Sequence, residues 1–501
     1  MLLVFPPIAK ACEPPAGIAR LAGVLRFHDF PCTLLDANIE AQLFLLDHPV
    51  VSTDTWSRRA VKNLSANLSA LQSQAIYNNI SRYQRAVADV NRILEINGKP
   101  FGLSLSLENY QDNALSPQKS KDLLAAAETH DRNIFYPYFS QRLSGLIFAQ
   151  HPASIGFSLN YLSQAITTFA MIGFVRKHYP EITIILGGGL VTSWLRNPAW
   201  ENHFAGLVDH LVAGPGEEQL LAILGKKGKS ISCMPDYSDL PQGDYLAPGF
   251  ILPYAASSGC YWSKCSFCPE KAEDNPYLPL APDQVMADIQ ALVKQTGPIL
   301  LHMLDNAISP KLLQAFIDQP PRVDWYGFAR VSARLADLEF CRGLRKSGCV
   351  MLKLGLESGD GQVLEAMNKG IDPGLVSKAL VALKEAGIAT YVYLLFGTPQ
   401  ESIAQARNTL EFIVQHKEAV NFFNLAIFNM PVCGPDADDL ELRDFYEGDL
   451  ALYRDFVHPR GWNRKEVRKF LDQEFRRHPD IAAILRRDPP HFTSNHAPFF
   501  I

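Results

Sequence analysis

Two runs of alternating short apolar strands and amphipathic helices, parted by a stretch rich in Pro, Gly, Asp and Tyr, constrain this chain more than any single motif. In the first run, residues 2–5, 32–35, 154–159, 182–186 and 207–212 read as strands. Helices follow from the face of Ile18, Leu21, Ala22 and Leu25 and from residues 164–178. Such alternation predicts an α/β fold with a doubly wound parallel sheet. In the second run, "ILPYAAS" is followed by "ILLHML", "VDWYGFA", "VMLKLGL", "TYVYLLFG" and "NFFNLAIF". About six strand–helix units predict a partial (β/α)6 barrel, short of the eight of a complete one.

The expected organisation is residues 1–233 as the first domain, with a helical insertion at about 50–150, and 250–430 as the barrel. The Pro/Gly-rich "MPDYSDLPQGDYLAPG", residues 234–249, reads as a linker, and 431–501 as a charged helical segment. Inside the insertion, Ile76, Ile80, Tyr83, Val87, Val90 and Leu94 step by threes and fours, with Asn97-Gly98 as the stop. The aromatic cluster in "NIFYPYFSQR" is assigned to core by ordinary burial preference. Val467, Phe470, Leu471 and Phe475 give the C-terminal helix an apolar face ringed by Arg464, Arg468, Arg476 and Arg477. A docked helix with a solvated basic face is the expectation there, ahead of a substrate lid or an RNA-contacting helix. The end, "FTSNHAPFF", is expected to pack on the body.

Composition matters mainly for what it excludes. A length of 501 residues suits about three domains. The net charge of -5 speaks against nucleic acid as a partner. No apolar run reaches the roughly 20 residues that span a bilayer. Met1 to Pro7 shows neither a basic leader nor a small-residue cleavage site. The nine cysteines are mostly scattered, which fits a reducing cytoplasm.

Three cysteines are not scattered. Cys260, Cys265 and Cys268 stand in "GCYWSKCSFCPEK", with no fourth nearby. A structural zinc site closes four ligands in two pairs. A 4Fe–4S cluster on three thiolates leaves one iron open to a further ligand. Spacing alone leaves zinc, cluster and chance open.

The surroundings resemble the radical S-adenosylmethionine (radical SAM) superfamily. Its usual pattern is Cys-x3-Cys-x2-Cys; the Cys-x4-Cys-x2-Cys here resembles a longer-loop variant among cobalamin-dependent members. The resemblance implies a 4Fe–4S cluster on Cys260, Cys265 and Cys268, with Phe267 packing the adenine of SAM. "LLHMLDNAISP" implies Asp305 and Asn306 near the methionine moiety, and "GFARVSARL" implies Arg330 and Arg334 on the SAM carboxylate. "LKLGLESGDGQVLEAMNKG" implies Glu357 on the ribose hydroxyls, and "YLLFGTPQES" a turn at Gly397 and Pro399 near the adenine.

The first domain resembles the cobalamin-binding module fused ahead of many such domains, on "FPP", "LLDANIE", "GFSLNYLSQA", "ILGGGLVTS" and "VDHLVAGPGEE". It implies cobalamin contacts from Pro7, Asp36, Ser158, Gly187, Gly188, Gly189, Thr192, Gly214 and Gly216. No histidine stands in the Asp-x-His-x-x-Gly pattern that supplies a lower cobalt ligand; His210 comes nearest, at the wrong spacing. The resemblance as a whole implies a cobalamin-dependent methyltransferase acting at an unactivated carbon. Its substrate would be a small molecule or peptide, and its electron donor a protein such as flavodoxin or ferredoxin. Alternatives are radical cyclisation or rearrangement with the same cofactors, a non-catalytic cobalamin sensor, and an RNA-modifying enzyme. No catalytic acid or base is assigned.

Overall fold

The strands of the first run are apolar enough to be buried on both faces, and they form a fully parallel sheet. The computed structural model describes residues 1–48, 54–226, 233–434, 440–490 and 496–501. The part of the expected insertion at 50–53 and the start of "FTSNHAPFF" lie outside the described residues. β1 (Leu2–Phe5), β2 (Thr33–Asp36), β3 (Ser154–Ser158), β4 (Thr183–Gly187) and β5 (His210–Leu211) are ordered β2-β1-β3-β4-β5. The order reverses between β1 and β3. In doubly wound sheets, that switch point opens a ligand crevice outside the carboxyl ends of the strands. The last strand is shorter than the expected 207–212. Arg176 takes the Leu207 carbonyl at 3.1–3.2 Å, and the Asp209 carboxylate replaces a backbone partner on Ile184 N–H at 2.7 Å.

The helices of this unit are α1 (Ala16–Phe27), α2 (Ala37–Asp47), the insertion's α3 (Ile80–Gly98), α4 (Leu162–His178) and α5 (Gly189–Arg196). The expected helical stripe breaks once before α3, at Asn78 and Asn79, because Asn79 caps α3 through Arg82 N–H. Tyr83, Val87, Val90 and Leu94 are buried as the stripe requires, and Phe135, Tyr138 and Phe139 are core. α4 is buried on every side from Gln164 to Val175. At Gly173 a Cβ would collide with the Ala127 backbone, so the insertion's Ser120–Glu128 helix crosses at closest range there.

Residues 234–249 are a strap on this unit rather than a free linker. Asp236 N–H donates to Ala19 O, Leu246 N–H to Ala11 O, and Tyr245 OH to Asp36 Oδ2 at 2.9 Å. Tyr237, Tyr245 and Leu246 are buried. The unit takes in the described residues up to 251 together with 446–452 and Pro490.

The second unit comprises the described residues of 252–445, 453–489 and 496–501. Its sheet has six strands, ordered β11-β10-β9-β8-β7-β6. They are β6 (Ile251–Tyr254), β7 (Leu300–Met303), β8 (Trp325–Ala329), β9 (Cys349–Glu357), β10 (Ala389–Phe396) and β11 (Phe422–Ile427). Pairing from β7 through β11 is parallel throughout. Helices α6 (Pro282–Thr296), α7 (Pro310–Asp318), α8 (Leu338–Lys346), α9 (Pro373–Glu385) and α10 (Ile403–Gln415) alternate with these strands. The segment after 430 is not all helix. Met430–Pro431, Leu442–Asp444 and Tyr453–Phe456 pair antiparallel before α11 (Arg464–Phe470) and α12 (Pro479–Leu485). Val467, Phe470, Leu471 and Phe475 are buried while Arg468, Arg476 and Arg477 are exposed, which is the docked helix. His496 stacks on Tyr391 with centroids 4.4 Å apart, so the last residues pack on the barrel. No described helix is long and apolar enough to cross a membrane.

Asp36 gives the first unit a pH signature. Burial raises its carboxyl to about 7, against hydrogen bonds from Tyr245 and from the Ile39 and Asn38 amides. A pKa higher folded than unfolded means stabilisation that is complete in acid and lost as pH rises toward 7. Asp36→Asn keeps an N-cap acceptor for α2. The melting temperature of the variant should fall less than that of the wild type between pH 5 and 8; parallel profiles would show that Asp36 carries no such coupling.

Candidate active site

The cysteine loop leaves β6 and is clamped at both ends. Asp305, buried just after β7, accepts Ala256 N–H at 3.0 Å through one oxygen and the Ser257 hydroxyl through the other. Ser257–Ser258 pairs antiparallel with Leu278–Pro279. Gly259, at φ +71°, approaches the Pro276 carbonyl so closely that any Cβ would collide with it. Only glycine adopts that conformation freely.

Cys260, Cys265 and Cys268 are all half-buried. Burial pushes the Cys268 thiol up to about 11, while the Glu270 and Lys271 amides pull it down. Burial likewise raises Cys265, opposed by Lys369. The three thiols lie within electrostatic reach of one another. Among the described residues, no three His, Cys, Asp or Glu side chains converge on a single ion. Thiols held neutral by burial ionise when a metal takes the charge.

The strand ends bring the other expected residues to the same edge. β9 carries a bulge between Gly355 and Glu357, and Glu357 sits at φ +68°. Bulges re-aim side chains beside functional sites, and left-handed backbone at a non-glycine residue stores strain there. Glu357 Oε1 pairs with Lys369 Nζ at 2.7 Å, and both side chains are about nine-tenths buried. Burial works against the Lys369 charge, but Glu357 and then Cys265 hold its pKa above the ordinary value. Gly355 makes room for the pair, since a Cβ there would lie 2.7 Å from Glu357 Oε1 and 2.9 Å from Lys369 Nζ. Phe267 is half-buried, with Lys369 Nζ 5.4 Å from its ring centroid.

Arg330 lies over the Trp262 ring at 3.6 Å, and its Nη2 donates to the carbonyls of Lys369 and Gly370. Arg334 is exposed and turned to the start of α7, 3.4 Å from Pro310 O. Asn306 is exposed. Gly397, at φ +82°, opens the turn after β10; its N–H donates to Glu401, and Pro399 is buried. Trp262 and Lys369 were not anticipated from sequence. Lys369 stands in the recognised stretch, twelve residues after Glu357, but nothing in the spacing ties it to that carboxylate.

In the first unit, Pro7, Asp36, Ser158, Gly187, Gly188, Gly189, Gly214 and Gly216 stand at or just beyond the carboxyl ends of strands or in the turns that follow, and Thr192 lies in the first turn of α5. Several are engaged within the fold. Asp36 caps α2 and accepts Tyr245 OH. The Thr192 hydroxyl donates to Gly188 O and accepts Gly214 N–H, both at 2.9 Å. Gly188, at φ +112°, packs so tightly on Leu159 that a Cβ would collide with its backbone. Its glycine therefore serves chain packing. Ser158 receives Asn160 Nδ2 at 3.0 Å and retains a hydroxyl hydrogen to donate. A methyl group at Gly189 would meet nothing closer than Asn160 Oδ1, at 3.8 Å. Ser158 and Gly189 leave space on this edge, while Asp36, Thr192 and Gly188 make contacts within the fold.

Residues 254–413 match the family model of the Radical SAM superfamily. This part of the chain is a radical SAM domain. The domain binds a 4Fe–4S cluster and SAM. An uncharacterized methyltransferase of Pyrococcus horikoshii is 23% identical over 193 residues, 36% of this chain and 40% of that protein. The bacteriochlorophyllide d C-12(1)-methyltransferase of Chlorobaculum tepidum is 27% identical over 184 residues, 35% of this chain and 40% of that protein. The matches thus span under half the length of either relative. The fold also matches a solved structure, the radical S-adenosylmethionine methyltransferase TsrM of Kitasatospora setae with cobalamin and [4Fe-4S] cluster bound. The TM-score is 0.53 at 14% identity, over 90% of this chain and 82% of that one, which establishes a shared architecture.

Two outcomes follow for the radical SAM domain. After anaerobic reconstitution the protein should hold about four irons, and Ala at Cys260, Cys265 or Cys268 should abolish a stable chromophore. Ala at the buried Cys12, Cys341 or Cys349 should leave the iron content unchanged; tightly held zinc in its place would exclude the cluster. Glu357→Gln keeps an acceptor for Lys369 but removes the charge, and should weaken SAM binding roughly tenfold to hundredfold by calorimetry. Unchanged affinity would place the ribose elsewhere.

Proposed function

We propose that the chain is a cobalamin-dependent radical SAM methyltransferase acting at an unactivated carbon of a small molecule or peptide. The observation that carries the reading is the combination, in one chain, of two parallel sheets with ligand edges. One presents three half-buried thiols beside a strained, paired Glu357. The other has a doubly wound switch point with Ser158 and Gly189 on its edge. The names of two curated relatives and of the matched structure, all methyltransferases, support it, while a third curated relative is named a cyclase.

Cys260, Cys265 and Cys268 would hold the cluster, Glu357 the SAM ribose, the Gly397–Pro399 turn the adenine, and the carboxyl edge of the first sheet the corrin. When bound, these groups supply a 5'-deoxyadenosyl radical for hydrogen abstraction and a methyl group for transfer. The residues contribute binding, orientation and exclusion of water. Lys369 holds the Glu357 carboxylate in place at 2.7 Å, so its second oxygen is pre-positioned for hydroxyl donors. Asp305 fixes the start of the cysteine loop. The electron comes from an external donor such as flavodoxin or ferredoxin.

Such a methylation consumes SAM twice, once as radical source and once to restore the methyl donor. With the true substrate, 5'-deoxyadenosine and S-adenosylhomocysteine should form in comparable amounts, and methyl-labelled SAM should label the product. Formation of 5'-deoxyadenosine alone, with unlabelled product, would replace methyl transfer by cyclisation or rearrangement.

A further inference from the structure

Trp262 lies between Cys260 and Cys265, in the segment that is one residue longer than the superfamily's usual spacing. Its ring faces the Arg330 guanidinium at 3.6 Å, and its indole N–H donates to Asn368 O at 3.2 Å. Arg330 reaches the same turn from the end of β8, with Nη2 donating to Lys369 O and to Gly370 O at 3.0 Å. Gly370, at φ +65°, has no room for a side chain; a Cβ would run into both the indole and the guanidinium. Ser266 N–H adds a second tie, to Met367 O at 3.0 Å. The ring, the guanidinium and the turn therefore form one packed unit.

This arrangement gives Arg330 partners other than the SAM carboxylate expected from the sequence. Both bidentate edges of a guanidinium include Nη2, and here Nη2 is spent on two carbonyls. Among the described residues, Arg330 Nε is buried with no hydrogen-bond partner. No edge remains for a bidentate grip on the SAM carboxylate. The guanidinium also lies within electrostatic reach of Cys260 and Cys265, and burial leaves its charge poorly screened.

We infer that Trp262 and Arg330 are positioning residues: a latch that holds the cysteine loop onto the 366–370 turn, and whose fixed positive charge favours the reduced cluster. The second half rests on the cluster assignment above; the first does not. Neither side chain touches reacting atoms. The latch acts by limiting loop opening, and the charge by offsetting the electron added to the cluster.

The test uses the full chain with four variants: Trp262→Ala, Trp262→Phe, Arg330→Lys and Arg330→Met. Trypsin acts on the iron-free protein at Lys264, which is exposed in this loop. Cleavage there should be slow in the wild type, fast in Trp262→Ala and Arg330→Met, and intermediate in Trp262→Phe, which keeps the stacking face. On the reconstituted protein, anaerobic iron loss to a chelator should accelerate roughly tenfold to hundredfold in Trp262→Ala, the usual cost of losing an outer-shell partner. By redox titration the cluster of Arg330→Met should reduce at a more negative potential, and that of Arg330→Lys, which keeps the charge, at a value closer to wild type. Wild-type cleavage and iron-loss rates in folded Trp262→Ala and Arg330→Met would overturn the latch. A SAM-binding defect in Arg330→Lys with wild-type loop protection would restore the carboxylate role instead. If the wild type binds no iron, the cluster assignment fails while the proteolysis still decides the latch.

Discussion

The Glu357–Lys369 ion pair is the contact on which the rest of the candidate site depends. Removing one partner of a buried pair costs about 3–5 kcal/mol, because the other charge is left uncompensated. Here the pair does more than add stability. It draws the 366–370 turn under the end of β9, and that turn is the platform for the cysteine loop. Ser266, Phe267 and Trp262 all meet it, through Met367 O, Lys369 Nζ and Asn368 O. The position of the thiols relative to the strand ends thus follows from a carboxylate nearly a hundred residues downstream.

Two glycines make this possible for different reasons. Gly355 is needed for space, since its missing side chain leaves room for the charged pair. Gly370 is needed for both space and conformation, because its φ is positive and the indole fills the side-chain position. The bulge between Gly355 and Glu357 then turns the carboxylate off the regular alternation of β9. A strict period of two would have kept Glu357 in phase with Lys353 and Gly355 at the sheet's own spacing.

This explains what was legible in the sequence. Alternating apolar strands and helices announce a parallel sheet because burial on both faces demands it, and both sheets follow. The cysteines were legible because their chemistry is local in sequence. The partners of Arg330 were not, because a motif position cannot tell where a guanidinium spends its N–H groups. Lys369 and Trp262 carry no periodic signal and gain their roles through contacts made only on folding. The strap at 234–249 looked like a linker because its Pro, Gly and Asp content is that of a loop. The structure shows that its Tyr237, Tyr245 and Leu246 supply buried surface instead. Gly188 likewise belongs to a recognisable triplet, yet what its conformation serves is the Leu159 backbone.

The late turn shows the same dependence on distant partners within the second unit. Glu401 is fully buried and accepts Gly397 N–H and, at 2.8 Å, Trp462 Nε1–H through Oε2. His458 Nε2–H donates to Thr398 O at 2.8 Å, while His458 Nδ1 accepts the amides of Arg460 and Trp462. Burial raises Glu401 to about 7 and lowers His458, so both polar groups are held toward their neutral forms. A neutral imidazole with both nitrogens engaged is a fastener, and a carboxyl shared between a glycine amide and an indole is another. The segment around residues 458–462 is therefore part of what shapes the turn after β10. A C-terminal stretch that would pass for an appendage by charge and composition is, in its contacts, a structural wall of the same strand edge that carries the thiols.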